Sequence, residues 1–89
     1  MIMYVIITYD ISEERVNKVR KVLKRYFNWV QNSVFECEIT LAKLEKCKLE
    51  LSFIIDKDVD SVYFYLVDNR NNISKTVLGI EKDVTDNIY

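Results

Sequence analysis

The sequence contains no histidine and no proline, a single glycine (Gly79) and only two cysteines, Cys37 and Cys47. Without histidine there is no Ser-His or Cys-His nucleophilic pair. With no CxxC spacing either, the usual zinc sites are excluded, since they draw on four Cys or His ligands or on three plus a water. One glycine cannot build a Gly-rich phosphate loop. No proline-rich stretch, low-complexity tract or repeat marks a linker. Long apolar runs are also missing. The longest, residues 1–9, is too short to cross a bilayer and lacks the basic start and small-residue cleavage site of a signal peptide. A cytoplasmic protein with no membrane contact is therefore expected, and its two thiols are expected to be free. Any hydrolysis would fall to carboxylates, Lys, Tyr or a water held by a metal.

What is present describes one small globular domain. The chain has 89 residues, 49% hydrophobic and 30% charged. A domain of this size buries a modest share of its surface and gains from oligomerising. The net charge of −1 hides an asymmetry. Arg15, Lys18, Arg20, Lys21, Lys24 and Arg25 follow one another with no intervening acid, whereas residues 56–86 carry seven acids against four bases.

Periodicity gives the elements. Residues 1–9 read as a near-continuous apolar strand, hence a central one. Ser12 is an N-cap, Glu13 and Glu14 suit the first turn of a helix, and Val16, Val19, Val22, Leu23, Tyr26 and Phe27 form its core stripe. Asn28 is expected to end that helix. Residues 29–31 and 33–39 form two strand segments that kink or pair as a hairpin, with a break or bulge near residues 32–33. Thr40 caps a second helix whose stripe is Leu41, Leu44, Cys47, Leu51, Ile54 and Ile55. A turn at 56–60, a strand at 61–67, a turn at 68–72, a strand at 74–80 and an acidic tail at 81–89 complete the chain. The first six elements follow the split βαβ, ferredoxin-like plan, an α+β sandwich (βαββαβ) with an additional C-terminal strand. We expect one ferredoxin-like domain over residues 1–80 and a tail over 81–89. The surplus strand suits pairing with a second protomer.

Three features bear on chemistry. Asp10 closes "YVIITYDIS", a buried strand that ends on an acid. It reads either as a helix-entry acid held by backbone N–H groups or as a metal ligand. One carboxylate is a poor site alone, but Mg2+ needs only one or two carboxylates besides water and phosphate, and a two-fold axis near Asp10 would pair two copies. The basic helix face reads as a solvated face or as a phosphate-binding one, and its single sign points to phosphate. Trp29, Phe35, Tyr63, Phe64 and Tyr65 could stack on bases, but most suit the core, and the chain has no RNP-type aromatic motif.

The stretches "YVIITYDIS", "VQNSVFECEI" and "SVYFYLVD", with a basic helix after the first, resemble the CRISPR-associated protein 2 family over residues 3–80. The resemblance implies a ferredoxin-like homodimer in which the last strand of each chain joins its partner's sheet. It implies a metal-dependent endonuclease on RNA or double-stranded DNA, with Mg2+ or Mn2+ shared between two copies of Asp10. It also implies a scaffold role in spacer acquisition, in which the dimer bridges the CRISPR integrase (CRISPR-associated protein 1) on duplex DNA. The family's strand-end acid maps onto Asp10, its preceding tyrosine onto Tyr9, and its Gln-x-Ser-Val-Phe onto Gln31, Ser33, Val34 and Phe35. Trp29 stands where many members carry arginine. Lys18, with Arg15 as the alternative, matches the family's first-helix arginine, and a lysine there lacks the guanidinium fork that grips phosphate. Two alternatives remain open: a toxin-type ribonuclease of the same fold, and a structural adaptor without catalysis.

Overall fold

The computed structural model describes residues 2–67 and 73–81. The chain runs β1 (Ile2–Asp10), α1 (Glu13–Tyr26), β2 (Asn28–Gln31), β3 (Val34–Thr40), α2 (Leu41–Ser52), β4 (Ser61–Val67) and β5 (Ile73–Gly79). The strands form one antiparallel sheet in the order β2-β3-β1-β4-β5. The most apolar strand, β1, is central, as its sequence requires. The expected turn at 68–72 and all but the first residue of the tail lie outside the described residues.

Strand parity assigns the two faces of the sheet. Val5, Ile7 and Tyr9 of β1, Phe35 and Ile39 of β3, and Val62 and Phe64 of β4 are buried against Val19, Val22 and Leu23 of α1 and Leu44, Cys47 and Leu51 of α2. Both helices therefore cover one face. The alternate residues Tyr4, Ile6, Thr8, Val34, Tyr63, Tyr65 and Val67 line the other face, which no helix covers, and remain half-exposed.

Local chemistry departs from the sequence expectation in four places. Helix α1 ends at Tyr26, with Phe27 as an extended cap whose N–H reaches the Leu23 carbonyl at 2.7 Å, so Asn28 opens β2 instead of closing the helix. The β2–β3 hairpin turns at Asn32, whose φ of 44° suits asparagine in a chain almost without glycine. The bulge lies between Trp29 and Gln31, ahead of the expected residues 32–33. Helix α2 stops at Ser52, so Ile54 and Ile55 reach the core from the following turn, while Leu41 at the helix start is exposed. Its N-cap is as expected: Thr40 Oγ1 accepts from the Lys43 N–H at 3.3 Å. Finally, β5 runs from Ile73 to Gly79, one residue earlier than expected, and pairs with β4.

Candidate metal and nucleic-acid site

The side chains of β1 alternate, so Tyr9 and Asp10 face opposite sides of the sheet. Tyr9 is 9% exposed and lies beside Phe35, with ring centroids 6.1 Å apart. Burial raises its phenol pKa, and the nearby charge of Arg20 partly offsets this. Tyr9 therefore packs in the core, on the opposite face of β1 from Asp10. Asp10 ends β1, is exposed, and lies on the face no helix covers. Its direct cross-strand partner is Ser61, the first residue of β4, and Ser61 in turn pairs with Gly79 of β5. Directly paired residues share a face, with Cβ atoms about 4.5–5.5 Å apart. Ser61 is fully buried, and among the described residues its Oγ has no hydrogen-bond partner.

The residue before Ser61 was not singled out in the sequence, yet it holds this corner together. The Asp60 carboxylate is completely buried. Its Oδ1 accepts from the Ser12 N–H at 2.9 Å, and its Oδ2 accepts from Arg15 Nε at 2.6 Å and from the Asp56 N–H at 2.9 Å. The Arg15 guanidinium beside it, followed by the backbone donors of Asp56 and Ser12, holds its pKa well below the usual carboxylate range against the opposing effect of burial. The Asp60 carbonyl accepts from the Ile80 N–H at 3.0 Å. Gly79 adopts a φ of +94°, and a Cβ there would lie 2.2 Å from that same carbonyl, so glycine is required. Asp60 thereby ties the β1–α1 turn, the start of β4 and the end of β5 together. Ser12 caps α1 through its backbone, since its side chain makes no capping bond. Asp60 thus accepts from the backbone N–H of Ser12 at the entry to α1.

The expected basic residues divide by surroundings. Arg15 directs its Nε and Nη2 to Asp60 and its Nη1 to Glu14, so its guanidinium is occupied by its own chain. Lys18, Lys21 and Lys24 are exposed, and Arg20 is half-buried. Arg25 is exposed but pairs with Glu50 at 2.6 Å, and the Tyr26 hydroxyl donates to the same carboxylate. All of these lie on α1, on the opposite side of the sheet from Asp10. Gln31 and Ser33 belong to the β2–β3 hairpin, at the sheet end where Val34 pairs with Thr8, near Asp10 along the strands but two strands away. Among the described residues no three His, Cys, Asp or Glu side chains gather as a metal cluster. A cavity of about 410 Å³ lies at the other end of β1, lined in part by Ile2, Tyr26, Cys37 and Lys43, and does not include Asp10. Both cysteines are free; Cys47 is buried, which pushes its thiol up to about 12.

Comparison with known proteins is consistent with this geometry. The family model described as CRISPR associated protein Cas2 matches residues 3–74. A protein of Thermodesulfovibrio yellowstonii named CRISPR-associated endoribonuclease Cas2 3 is 73% identical over 96% of this chain and 97% of its own. A Thermotoga maritima protein named CRISPR-associated endoribonuclease Cas2 is 49% identical over 90% of this chain and 92% of its own. Among solved structures, a crystal structure of a Cas2 superposes with a TM-score of 0.74 at 40% identity and covers 100% of both chains. The Streptococcus pyogenes Cas2 crystal structure gives a TM-score of 0.67 at 42% identity, over 74% of this chain and 87% of that one.

Proposed function

This chain belongs to the CRISPR associated protein Cas2 family, and we propose that it acts in CRISPR spacer acquisition as a homodimer that binds duplex nucleic acid. In this reading it is a scaffold for the CRISPR integrase and forms an endonuclease centre where two copies of Asp10 meet. One observation carries the reading. The sheet face without helices presents Ile6, Thr8, Tyr63 and Tyr65, and Asp10 lies on the same face at the end of β1. A second copy seated on that face buries its apolar and aromatic area and brings the two carboxylates together. Strand exchange would keep the β4–β5 ladder and change only which chain supplies β5. The names of the relatives, endoribonucleases, favour RNA as a substrate. A toxin-type ribonuclease gains no support from them.

The donor set fits Mg2+ or Mn2+ held between chains, and does not fit a metal held by one chain. Among the described residues no group of three ligands forms in a single chain, whereas two copies of Asp10 with water satisfy a hard cation. Ser61, cross-strand from Asp10, adds a buried Oγ that has no hydrogen-bond partner among the described residues. When bound, such a cation neutralises phosphate charge and lowers the pKa of water. The chain's own part is to hold the carboxylate at a rigid strand end, through Asp60 and Ser12. With no cation between them, the two carboxylates would repel each other.

A second reading, the adaptor without catalysis, is favoured by one specific observation. The basic face of α1 and Asp10 lie on opposite sides of the sheet, so a duplex held by α1 does not bring its phosphates to Asp10. The separating experiment measures duplex binding and RNA or DNA cleavage for the wild type and Asp10→Asn, with and without Mg2+ or Mn2+. Metal-dependent cleavage that Asp10→Asn abolishes, with binding retained, supports the nuclease. Binding with no cleavage in either protein supports the adaptor. Cleavage unchanged in Asp10→Asn removes Asp10 from the chemistry.

A further inference from the structure

Ser61 is a buried polar residue without a hydrogen-bond partner among the described residues. Its Oγ is inaccessible and, among the described residues, makes no hydrogen bond. Buried side-chain polar atoms are satisfied in the large majority of cases, so an orphaned hydroxyl needs an explanation. Its position is not slack. Asp60, the preceding residue, is fixed by bonds from Ser12, Arg15 and Asp56 to its carboxylate and from Ile80 to its carbonyl. The register places Ser61 between Asp10 on one side and Gly79 on the other. Gly79 has no side chain to offer. The polar side chain in direct cross-strand reach on the same face is therefore Asp10.

We infer that Ser61 is a positioning residue of the Asp10 centre: its hydroxyl donates to the Asp10 carboxylate when that carboxylate holds a divalent cation. The inference rests on the proposed role of Asp10. A carboxylate that gives one oxygen to a cation can accept a hydrogen bond with the other, and ligating carboxylates are ordinarily oriented by such an outer donor. In a two-fold arrangement each Asp10 brings its own Ser61, so both carboxylates are oriented alike. The competing explanation is simple packing at the start of β4. In that case replacing the hydroxyl with hydrogen removes an unsatisfied donor and is neutral or stabilising, with no effect on cation binding.

The test uses the full chain and Mn2+ alone as probe. Free Mn2+ is followed by electron paramagnetic resonance, and melting temperature is recorded with and without the ion. Wild type, Ser61→Ala, Ser61→Cys and Asp10→Asn are compared. Ser61→Ala is expected to melt at or above the wild-type temperature without metal, yet to bind Mn2+ about ten-fold more weakly or worse. Asp10→Asn is expected to lose the site. Ser61→Cys has a similar size and a weak donor, is expected to bind more weakly than the wild type, and carries the comparison if the alanine variant does not fold. Mn2+ affinity indistinguishable from wild type in Ser61→Ala and Ser61→Cys, with binding lost in Asp10→Asn, overturns the role of Ser61 and leaves the Asp10 centre standing. Wild type and Asp10→Asn behaving alike overturns the centre itself and this inference with it.

Discussion

Two aspartates in this small protein differ in burial: Asp10 is exposed at the end of β1 and Asp60 is enclosed. Asp60 is buried and bonded to Arg15, which holds its carboxyl below its ordinary range. Its folded pKa lies below its unfolded one, so its contribution to stability is complete above about pH 4. The contribution is lost as pH falls towards the folded value, because the unfolded chain takes up the proton first. Urea midpoints of the wild type should therefore fall on acidification, and Asp60→Asn should flatten that part of the profile. Asp60→Ala leaves the Arg15 charge without its partner. We expect a loss of about 3 kcal/mol in urea unfolding, the low end for a buried pair because Arg15 keeps some solvent exposure. Gly79→Ala should lower the melting temperature, since its Cβ would meet the Asp60 carbonyl in a backbone conformation that alanine resists. Cys47 should resist thiol reagents at pH 8 until the protein is unfolded, while the half-exposed Cys37 reacts first.

At the scale of elements, α1 carries two unlike functions along one helix. Its N-terminal turn belongs to the Asp60 junction through Ser12 and Arg15. Its middle and end present Lys18, Lys21 and Lys24 to solvent, with Arg25 tied to Glu50 of α2. The acids in its first turn and the bases in its last turn also complement the helix dipole. Replacing Arg20, Lys21, Lys24 and Arg25 with glutamine should weaken duplex binding and reduce the salt dependence of log K by about 0.9 for each phosphate no longer neutralised. Unchanged affinity and salt slope would mean that the face is merely solvated.

For the whole molecule, the decisive feature is a two-layer fold whose sheet is covered by helices on one side only. The helices cover one side of the sheet, and the other side carries Ile6, Tyr63 and Tyr65 without a covering element. A charge in the middle of that face should keep two copies apart. Ile6→Lys is expected to sediment as a monomer with a native circular dichroism spectrum, while the wild type sediments as a dimer. Deleting residues 74–89 removes the partner of β4 and should give a monomer or an insoluble chain. A stable dimer from the truncated chain would remove strand exchange from the account.

Hydrophobic period by itself determined the order of elements, the central position of β1, the cap at Thr40 and the acid at the end of the first strand. These are local properties, written into residues two to four apart. Period two also fixed that Tyr9 and Asp10 point to opposite faces. Only the tertiary structure decided which face is which, that Arg15 reaches Asp60 across 45 positions, and that Ser61 stands opposite Asp10. Helix periodicity predicted a stripe running on to Ile55, but the chain left the helix at Ser52 and delivered the same side chains to the core from a turn. The physical reason is common to all these cases. Periodicity encodes what a segment buries, whereas strand register and layer packing determine what it is buried against, and the junction around Asp60 exists only once β1, β4 and β5 lie side by side.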